Sequence, residues 1–476
     1  MDREGTSQND QEKAHILVVT YPVQGHINPL LQFSKHLASK GLKVTLIIPS
    51  STTRFSAEAT PSSISVAYIP DRYEEDDPTL SVDEKLKRFD AVVPQTLAEF
   101  IREQIDSKFP PKVLVYDSAM VWALDVAREH GLHGAPFFTH SCMVSAIYYL
   151  VHHGRLATPV QGPFSLIPSA PPLEASDLPS GVTTEYEPSP KLMSMVINQF
   201  LNLDRAKWIL VNTFFELEEE VVKWMRIQCP IMTIGPTIPS SYLDGRLEDD
   251  KEYGLSIFQP EMESCMEWLD SKETNSVIYV SFGSLASLGE EQMEELSWGL
   301  KNSNIRFLWV VRESEKMKLP PGFLDEITTS DMGLVVAWCS QPQVLSHRAV
   351  SCFLTHCGWN STLEGLSLGL PLVAMSQRMD QPTNAKFIED VWKVGLRVRT
   401  SEKGIASREA IKACVREVMV GKKGKEIRKN CLRWKELAKQ AVGDGGSSDK
   451  NINELVTQLI DTVTGAEYVK PVQSIK

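Results

Sequence analysis

The feature that most constrains this chain is a series of short, uniformly apolar runs separated by helix-like stretches, present in both halves of the sequence. In the first half the runs are residues 15–20, 42–48, 66–69, 113–116, 135–139 and 208–213. In the second half they are residues 277–282, 306–311, 334–338, 352–355 and 370–375. Runs this short and rich in Val, Ile and Leu cannot make helices, and they are too evenly apolar for half-exposed strands. They predict strands buried on both faces of a parallel sheet. Strand–helix alternation in each half predicts an α/β chain of two Rossmann-like doubly wound domains facing across a cleft. The length of 476 residues, more than one hydrophobic core usually organises, agrees with two domains.

The proline, glycine and acidic residues of 234–254 fit an exposed linker. The expected division is an N-terminal domain over 1–240, an acidic linker over 241–255, a C-terminal domain over 256–450, and a helix and tail over 451–476. The glycine-rich break at 443–451 precedes an amphipathic stretch, 452–464, expected to be a last helix able to pack on either domain. A second acidic stretch, 71–84, reads as a solvated loop. With 49 basic and 61 acidic residues the net charge is −12, which counts against nucleic acid and anionic membrane surfaces as partners. No apolar stretch reaches the roughly 18 residues of a membrane span. The eight cysteines form no CxxC pair and the start of the chain is polar, so reduced thiols and a cytoplasmic monomer are expected.

Ligands of open α/β sheets bind beyond the carboxyl ends of the strands, so the chemistry is sought in the loops that follow them. After the first run, Asn28 and Pro29 make a helix start, which places His26 on a loop just before that helix. Asp117 follows the fourth run at a similar height. A carboxylate there can fix the imidazole tautomer and stabilise the imidazolium, giving a base for a substrate hydroxyl. The alternatives are a loop histidine without a task and an aspartate that caps a helix. In the stretch 354–371, Asn360 and Ser361 are capping types, Ser361 and Glu364 fit a capping box, and Gly369 with Pro371 ends the helix. A helix N-terminus beside His356 and Gly358 is a diphosphate site; Glu364 reads equally as a cap or as a ligand-binding group. Gly283 and Ser284 sit on a further loop where the backbone can approach phosphate. The chain lacks both GxGxxG and a Walker sequence, which disfavours a dinucleotide dehydrogenase and an ATPase. Cys352, His356 and Cys357 lack the fourth ligand and the spacing of a zinc site.

Together these residues resemble the plant family of UDP-dependent glycosyltransferases acting on small hydrophobic acceptors. Residues 338–381 have the length of that family's diagnostic box and match most of its fixed positions. The resemblance extends to QGHINP at 24–29, to Asp117 and to the break near 445. Its closest flavour is the subgroup containing salicylate, auxin, thiohydroximate and steroid or triterpene glucosyltransferases. It implies a GT-B fold, with acceptor bound mainly by the N-terminal half and sugar nucleotide by the C-terminal half. By motif position, Trp338 would stack on the uracil and Cys339 would contact it through its backbone. Gln341 would lie near the ribose, and Glu364 would accept from the ribose hydroxyls. His356, Asn360, Ser361 and Ser284 would hold the diphosphate, while Trp359, Asp380 and Gln381 would address the sugar. His26 would be the general base and Asp117 its partner.

Gln381 at the end of the box is typical of glucose users, so UDP-glucose is the expected donor. Beyond that donor, no cofactor and no metal are expected. The family's usual tryptophan and threonine before the aspartate are replaced here by Arg378 and Met379. A flexible apolar methionine suits a roomier greasy acceptor wall, although both side chains could simply pack at the cleft edge. The layout suggests Tyr21, His140, Met143, Met195, Phe200, Leu285 and Met379 as acceptor lining. The expected activity is therefore inverting transfer of glucose to a hydroxyl or carboxyl of a hydrophobic molecule such as a steroid or triterpenoid. Small aromatic acids or phenolics are the alternative acceptors, and an idle sugar-nucleotide or hormone-binding protein is the alternative of another class.

Overall fold

The computed structural model describes residues 14–50, 63–71, 80–160, 162–166, 171–183, 189–248 and 250–464. Most of the acidic stretch 71–84 and the tail beyond 464 lie outside the described residues. Two all-parallel sheets organise the chain. The first contains β1 (His15–Val19), β2 (Lys43–Pro49), β3 (Ser65–Ile69), β4 (Val113–Asp117), β5 (His133–Phe138), β6 (Ile209–Val211) and β7 (Ile231–Thr233), in the order β3-β2-β1-β4-β5-β6-β7. The second contains β8 (Val277–Ser281), β9 (Arg306–Val310), β10 (Gly333–Val336), β11 (Val350–Thr355), β12 (Leu372–Ala374) and β13 (Gly395–Arg397), in the order β10-β9-β8-β11-β12-β13. Every residue of β1, β4, β8 and β11 is buried, as their unbroken apolar runs require. Two of the four edge strands, β7 and β13, are three residues long and do not stand out as apolar runs.

In each sheet the strand order reverses about the central pair, β1/β4 in one and β8/β11 in the other. Such reversals open a crevice at the carboxyl edge. The loops after β1, β4, β8 and β11 therefore converge on the cleft.

The seam is not the exposed linker expected of 234–254. Leu243, Asp250 and Tyr253 are buried. The Asp250 carboxylate takes an ion pair from Lys35 at 2.8 Å, a bond from Gln32 at 2.5 Å, and the Ser240 amide at 2.6 Å. A carboxylate with three partners can be buried where a bare one cannot.

The last helix, Ser447–Thr464, returns to the N-terminal sheet. Ile452, Leu455, Val456 and Leu459 pack into one core with Ile16, Trp208, Leu210 and Ile234. Gln458 accepts the Trp208 indole N–H at 2.6 Å, and Ser448 donates to the Gly235 carbonyl at 2.6 Å. The end of the chain thus ties the second half to the first. Leu455→Ala, at a site 1% exposed, should destabilise the protein by about 2–5 kcal/mol. The check is a lower urea midpoint, and an unchanged midpoint would mean the helix is not part of that core.

Candidate active site

His26 lies not on a loop but in the first turn of the helix Gln24–Ser39, capped by the extended backbone of Val23. The helix starts five residues earlier than an Asn28 cap with Pro29 in the first position suggests, and Pro29 is inside it. A proline has no N–H to give to the carbonyl four residues back. That carbonyl belongs to Gly25, and it instead accepts the Asn360 Nδ2 at 2.6 Å from across the cleft. The internal proline is thus tolerated because the opposite domain supplies the missing donor.

Asp117, the last residue of β4, is fully buried and bonds His26 Nδ1 through Oδ2 at 2.5 Å. Its Oδ1 accepts the Ala119 amide at 3.0 Å. It caps no helix, because the next helix, Ala123–Glu129, begins after Trp122. With Nδ1 engaged, Nε2 is the ring atom left to take a proton. Burial pushes the His26 pKa down, but the charge and hydrogen bond of Asp117, helped by the Asp380 carboxylate, leave it raised above 6.5. A base must be neutral to act, so activity should be complete above that raised pKa and lost as pH falls through it. The acid limb of kcat/KM is therefore expected above pH 6.5, and in Asp117→Asn it should move lower while the rate falls. An unmoved limb would take the Asp117 carboxylate out of the account.

Across the cleft, the helix Trp359–Leu368 starts at Gly358, with no side-chain cap. The capping box expected of Ser361 and Glu364 does not form, because the helix begins before either residue could cap it. Ser361 instead accepts Gln341 Nε2 at 2.9 Å. Glu364 accepts the Tyr253 hydroxyl at 2.7 Å and Gln341 Nε2 at 2.5 Å. Burial raises the Glu364 pKa to about 7 against the opposing pull of those two bonds. The N-cap residue offers no side chain to the first-turn amides; the Asp380 carboxylate engages that of Trp359, and those of Asn360 and Ser361 are the ones offered to an anion. Gly369 ends the helix in the left-handed region at φ 77°, as expected.

His356 follows β11 and is wedged between two glycines. A Cβ on Gly283 would lie 2.9 Å from its ring, and one on Gly358 only 2.5 Å from Nε2. Burial pushes its pKa down to about 4 against a bond with the Ser281 backbone, so at neutral pH it is an uncharged hydrogen-bonding group. The loop after β8 is held by Arg312, which donates to the carbonyls of Ser284 (2.5 Å) and Ala286. Trp338 packs on Phe258, ring centroids 4.5 Å apart. Cys339 is buried beside the Tyr279 hydroxyl at 3.5 Å.

The Trp359 side chain is not available to a sugar: it is buried, and its indole N–H donates to the Asn212 carbonyl at 2.6 Å. Its backbone amide bonds the Asp380 carboxylate. Asp380 precedes the helix Gln381–Lys386 and accepts Asn384 Nδ2 at 2.8 Å. Burial raises its pKa to about 6, opposed by that bond and by the nearby His26. The Gln381 Oε1 accepts the amides of Gln377 (2.9 Å) and Arg378 (3.1 Å), which orients its side chain in the turn.

The suggested acceptor residues divide into groups. The Tyr21 ring lies 5.6 Å from that of His26. His140 bonds Ser145 at 3.0 Å and Gln199 at 3.2 Å, and burial lowers its pKa to about 4, with Gln199 opposing. Met143 and Phe200 belong to the packed core, Phe200 stacked on Phe138 at 5.3 Å. Met195 and Met379 are half-buried, and Leu285 is exposed. No three potential metal ligands lie together among the described residues.

The sequence reading missed Tyr253 and Phe258, which reach Glu364 and Trp338 from the seam. The available signal was Tyr253 within the acidic stretch and Phe258 just beyond it, and Tyr242 nearby gives the same local signal.

The chain matches the family model described as UDP-glucoronosyl and UDP-glucosyl transferase over residues 247–440, and the glycosyltransferase N-terminal domain over residues 12–61. It is 49% identical over 454 residues to UDP-glycosyltransferase 74E2 of Arabidopsis thaliana, covering 94% of this chain and 100% of that protein. The chain belongs to the plant UDP-glycosyltransferase family. It is also 47% identical over 456 residues to mogroside I-E synthase of Siraitia grosvenorii, covering 94% of this chain and 99% of that one. Among solved structures, Os79 from O. sativa in complex with UDP superposes with a TM-score of 0.87 at 38% identity, covering 93% of this chain and 100% of that one. The two parallel-sheet domains are thus those of a GT-B glycosyltransferase, an enzyme that uses a UDP-sugar donor and a small-molecule acceptor. No helix among the described residues is long and apolar enough to cross a membrane.

Proposed function

We propose that this glycosyltransferase moves glucose from UDP-glucose to a hydroxyl of a bulky hydrophobic acceptor, a steroid or triterpenoid, with inversion at the anomeric carbon. The observation that carries the catalytic part is the 2.5 Å contact between His26 Nδ1 and the buried Asp117. It leaves Nε2 as the base at the mouth of one switch point, opposite the uncapped helix of the other.

His26 Nε2 takes the acceptor's proton as the acceptor oxygen forms its bond to the anomeric carbon. The bond from that carbon to the diphosphate oxygen breaks on the opposite face, and its electron pair leaves with UDP. Asp117 stabilises the imidazolium. The first-turn amides of Asn360 and Ser361, with neutral His356 and Ser284, stabilise the leaving diphosphate. Trp338 and the Cys339 backbone hold the uracil. Gln341 and Glu364 hold the ribose, the latter kept in place by Tyr253. Asp380, Gln381 and the Trp359 backbone meet the glucose hydroxyls. The scheme requires no metal or further cofactor.

The acceptor class is supported by Tyr21, an aromatic ring beside His26, by Met379, an apolar group beside Asp380, and by the similarity to a mogroside synthase. The test is a matrix of kcat/KM values: UDP-glucose and UDP-galactose against steroids, triterpenoids, flavonoids and small aromatic acids. The highest values are expected for UDP-glucose with a polycyclic aglycone. A clear preference for a small aromatic acid would replace this acceptor class with the other.

A further inference from the structure

Met379, immediately before the helix bearing Asp380 and Gln381, has φ 59°. That left-handed conformation is unfavourable for a side chain with ordinary Cβ sterics, and it persists only where surroundings impose it. Here one residue of the opposite domain imposes it. The Met379 N–H donates to Ser180 Oγ at 3.0 Å, and the Ser180 N–H donates back to the Met379 carbonyl at 3.0 Å. The two bonds close a ring between the residues and fix the peptide groups on both sides of Met379.

The grip continues along the same helix. The Asp177 carbonyl accepts Thr383 Oγ1 at 2.8 Å, and its buried carboxylate pairs with Arg397 and, at 3.5 Å, with Lys386. Residues 177–180 therefore hold the helix Gln381–Lys386 at both ends, with Ser180 at the end nearest His26. Within the turn at 376–381, Gln381 Oε1 takes the Gln377 and Arg378 amides; Arg378 also reaches the Leu285 carbonyl at 3.4 Å and Asp380 bonds Asn384, but among the described residues it is Ser180 that bonds the peptide groups flanking Met379 from the opposite domain.

We propose that Ser180 is a positioning residue for the transferred sugar. By holding Met379 in the left-handed conformation it sets the direction of the Asp380 and Gln381 side chains, so a residue of the acceptor half shapes the sugar subsite of the donor half. This rests on the reading of Asp380 and Gln381 as sugar contacts.

The test compares wild type with Ser180→Ala, Ser180→Thr and Gln381→Ala, using UDP-glucose as donor and UDP as a sugar-free competitor. Ser180→Ala should lower kcat/KM for UDP-glucose about three- to tenfold, the worth of one hydrogen bond. The UDP inhibition constant should not change, because UDP carries no sugar. Ser180→Thr keeps the hydroxyl and should recover most of the loss. Equal weakening of UDP inhibition and of kcat/KM would mean general damage to the fold and would overturn the proposal. A neutral Ser180→Ala would overturn it while leaving the sugar subsite intact, provided Gln381→Ala is impaired. If Gln381→Ala is neutral as well, both the subsite reading and this inference fall.

Discussion

With a hydroxyl acceptor, His26→Ala is expected to cut kcat by about 10²–10⁴, the usual contribution of a positioned general base, with little change in KM for UDP-glucose. The separation follows from the geometry. His26 sits at the carboxyl edge of the N-terminal sheet and bonds Asp117, whereas the groups suited to nucleotide belong to the other sheet. A carboxylic acid acceptor enters already ionised and needs the base less, so the same variant should lose much less with it. Steady-state kinetics with one alcohol and one acid acceptor checks both statements. Near-normal turnover of the alcohol would remove His26 from the mechanism.

Glu364→Ala should raise KM for UDP-glucose by about 10²-fold or more, given roughly 1.5–3 kcal/mol for each hydrogen bond to a charged group. Kcat at saturating donor should hold. The carboxylate is buried, and among the described residues its partners are the Tyr253 hydroxyl and the Gln341 amide. Without it the Tyr253 hydroxyl loses that partner, while Gln341 keeps its bond to Ser361. The raised pKa adds a pH signature. Ribose hydroxyls donate best to the ionised form, so donor affinity is expected to weaken as pH falls through about 7, and Glu364→Gln should lose that dependence. A pH-independent KM in wild type would mean that Glu364 does not accept from the ribose.

Much of this was legible from residue order. Fully buried parallel strands leave a strong signal, so β1, β4, β8 and β11 could be placed, and with them the cleft edge where His26, Asp117, Ser284 and His356 stand. What the sequence concealed depends on contacts between distant segments. Pro29 reads as a helix start by local rule, yet it is internal because Asn360 serves the carbonyl it orphans. Ser361 and Glu364 spell a capping box, but the helix opens at Gly358 and both side chains turn to Gln341 instead. The seam read as an exposed linker from its proline, glycine and acidic residues; burial of Asp250 becomes understandable only once Lys35 and Gln32 are seen to reach it. Nothing local to Trp359 likewise announces that its indole joins the domains at Asn212. Three-residue edge strands such as β13 carry too little sequence to be recognised at all.

The central claim is that an acceptor oxygen, deprotonated by His26, attacks the anomeric carbon from the face opposite UDP. Its most direct test is the anomeric configuration of the product, read by proton NMR after the purified enzyme has glucosylated a steroid or triterpenoid alcohol from UDP-α-glucose. The account predicts a β-linked glucoside formed one-for-one with UDP. An α-linked product, or UDP released without any glucosylated acceptor, would contradict it.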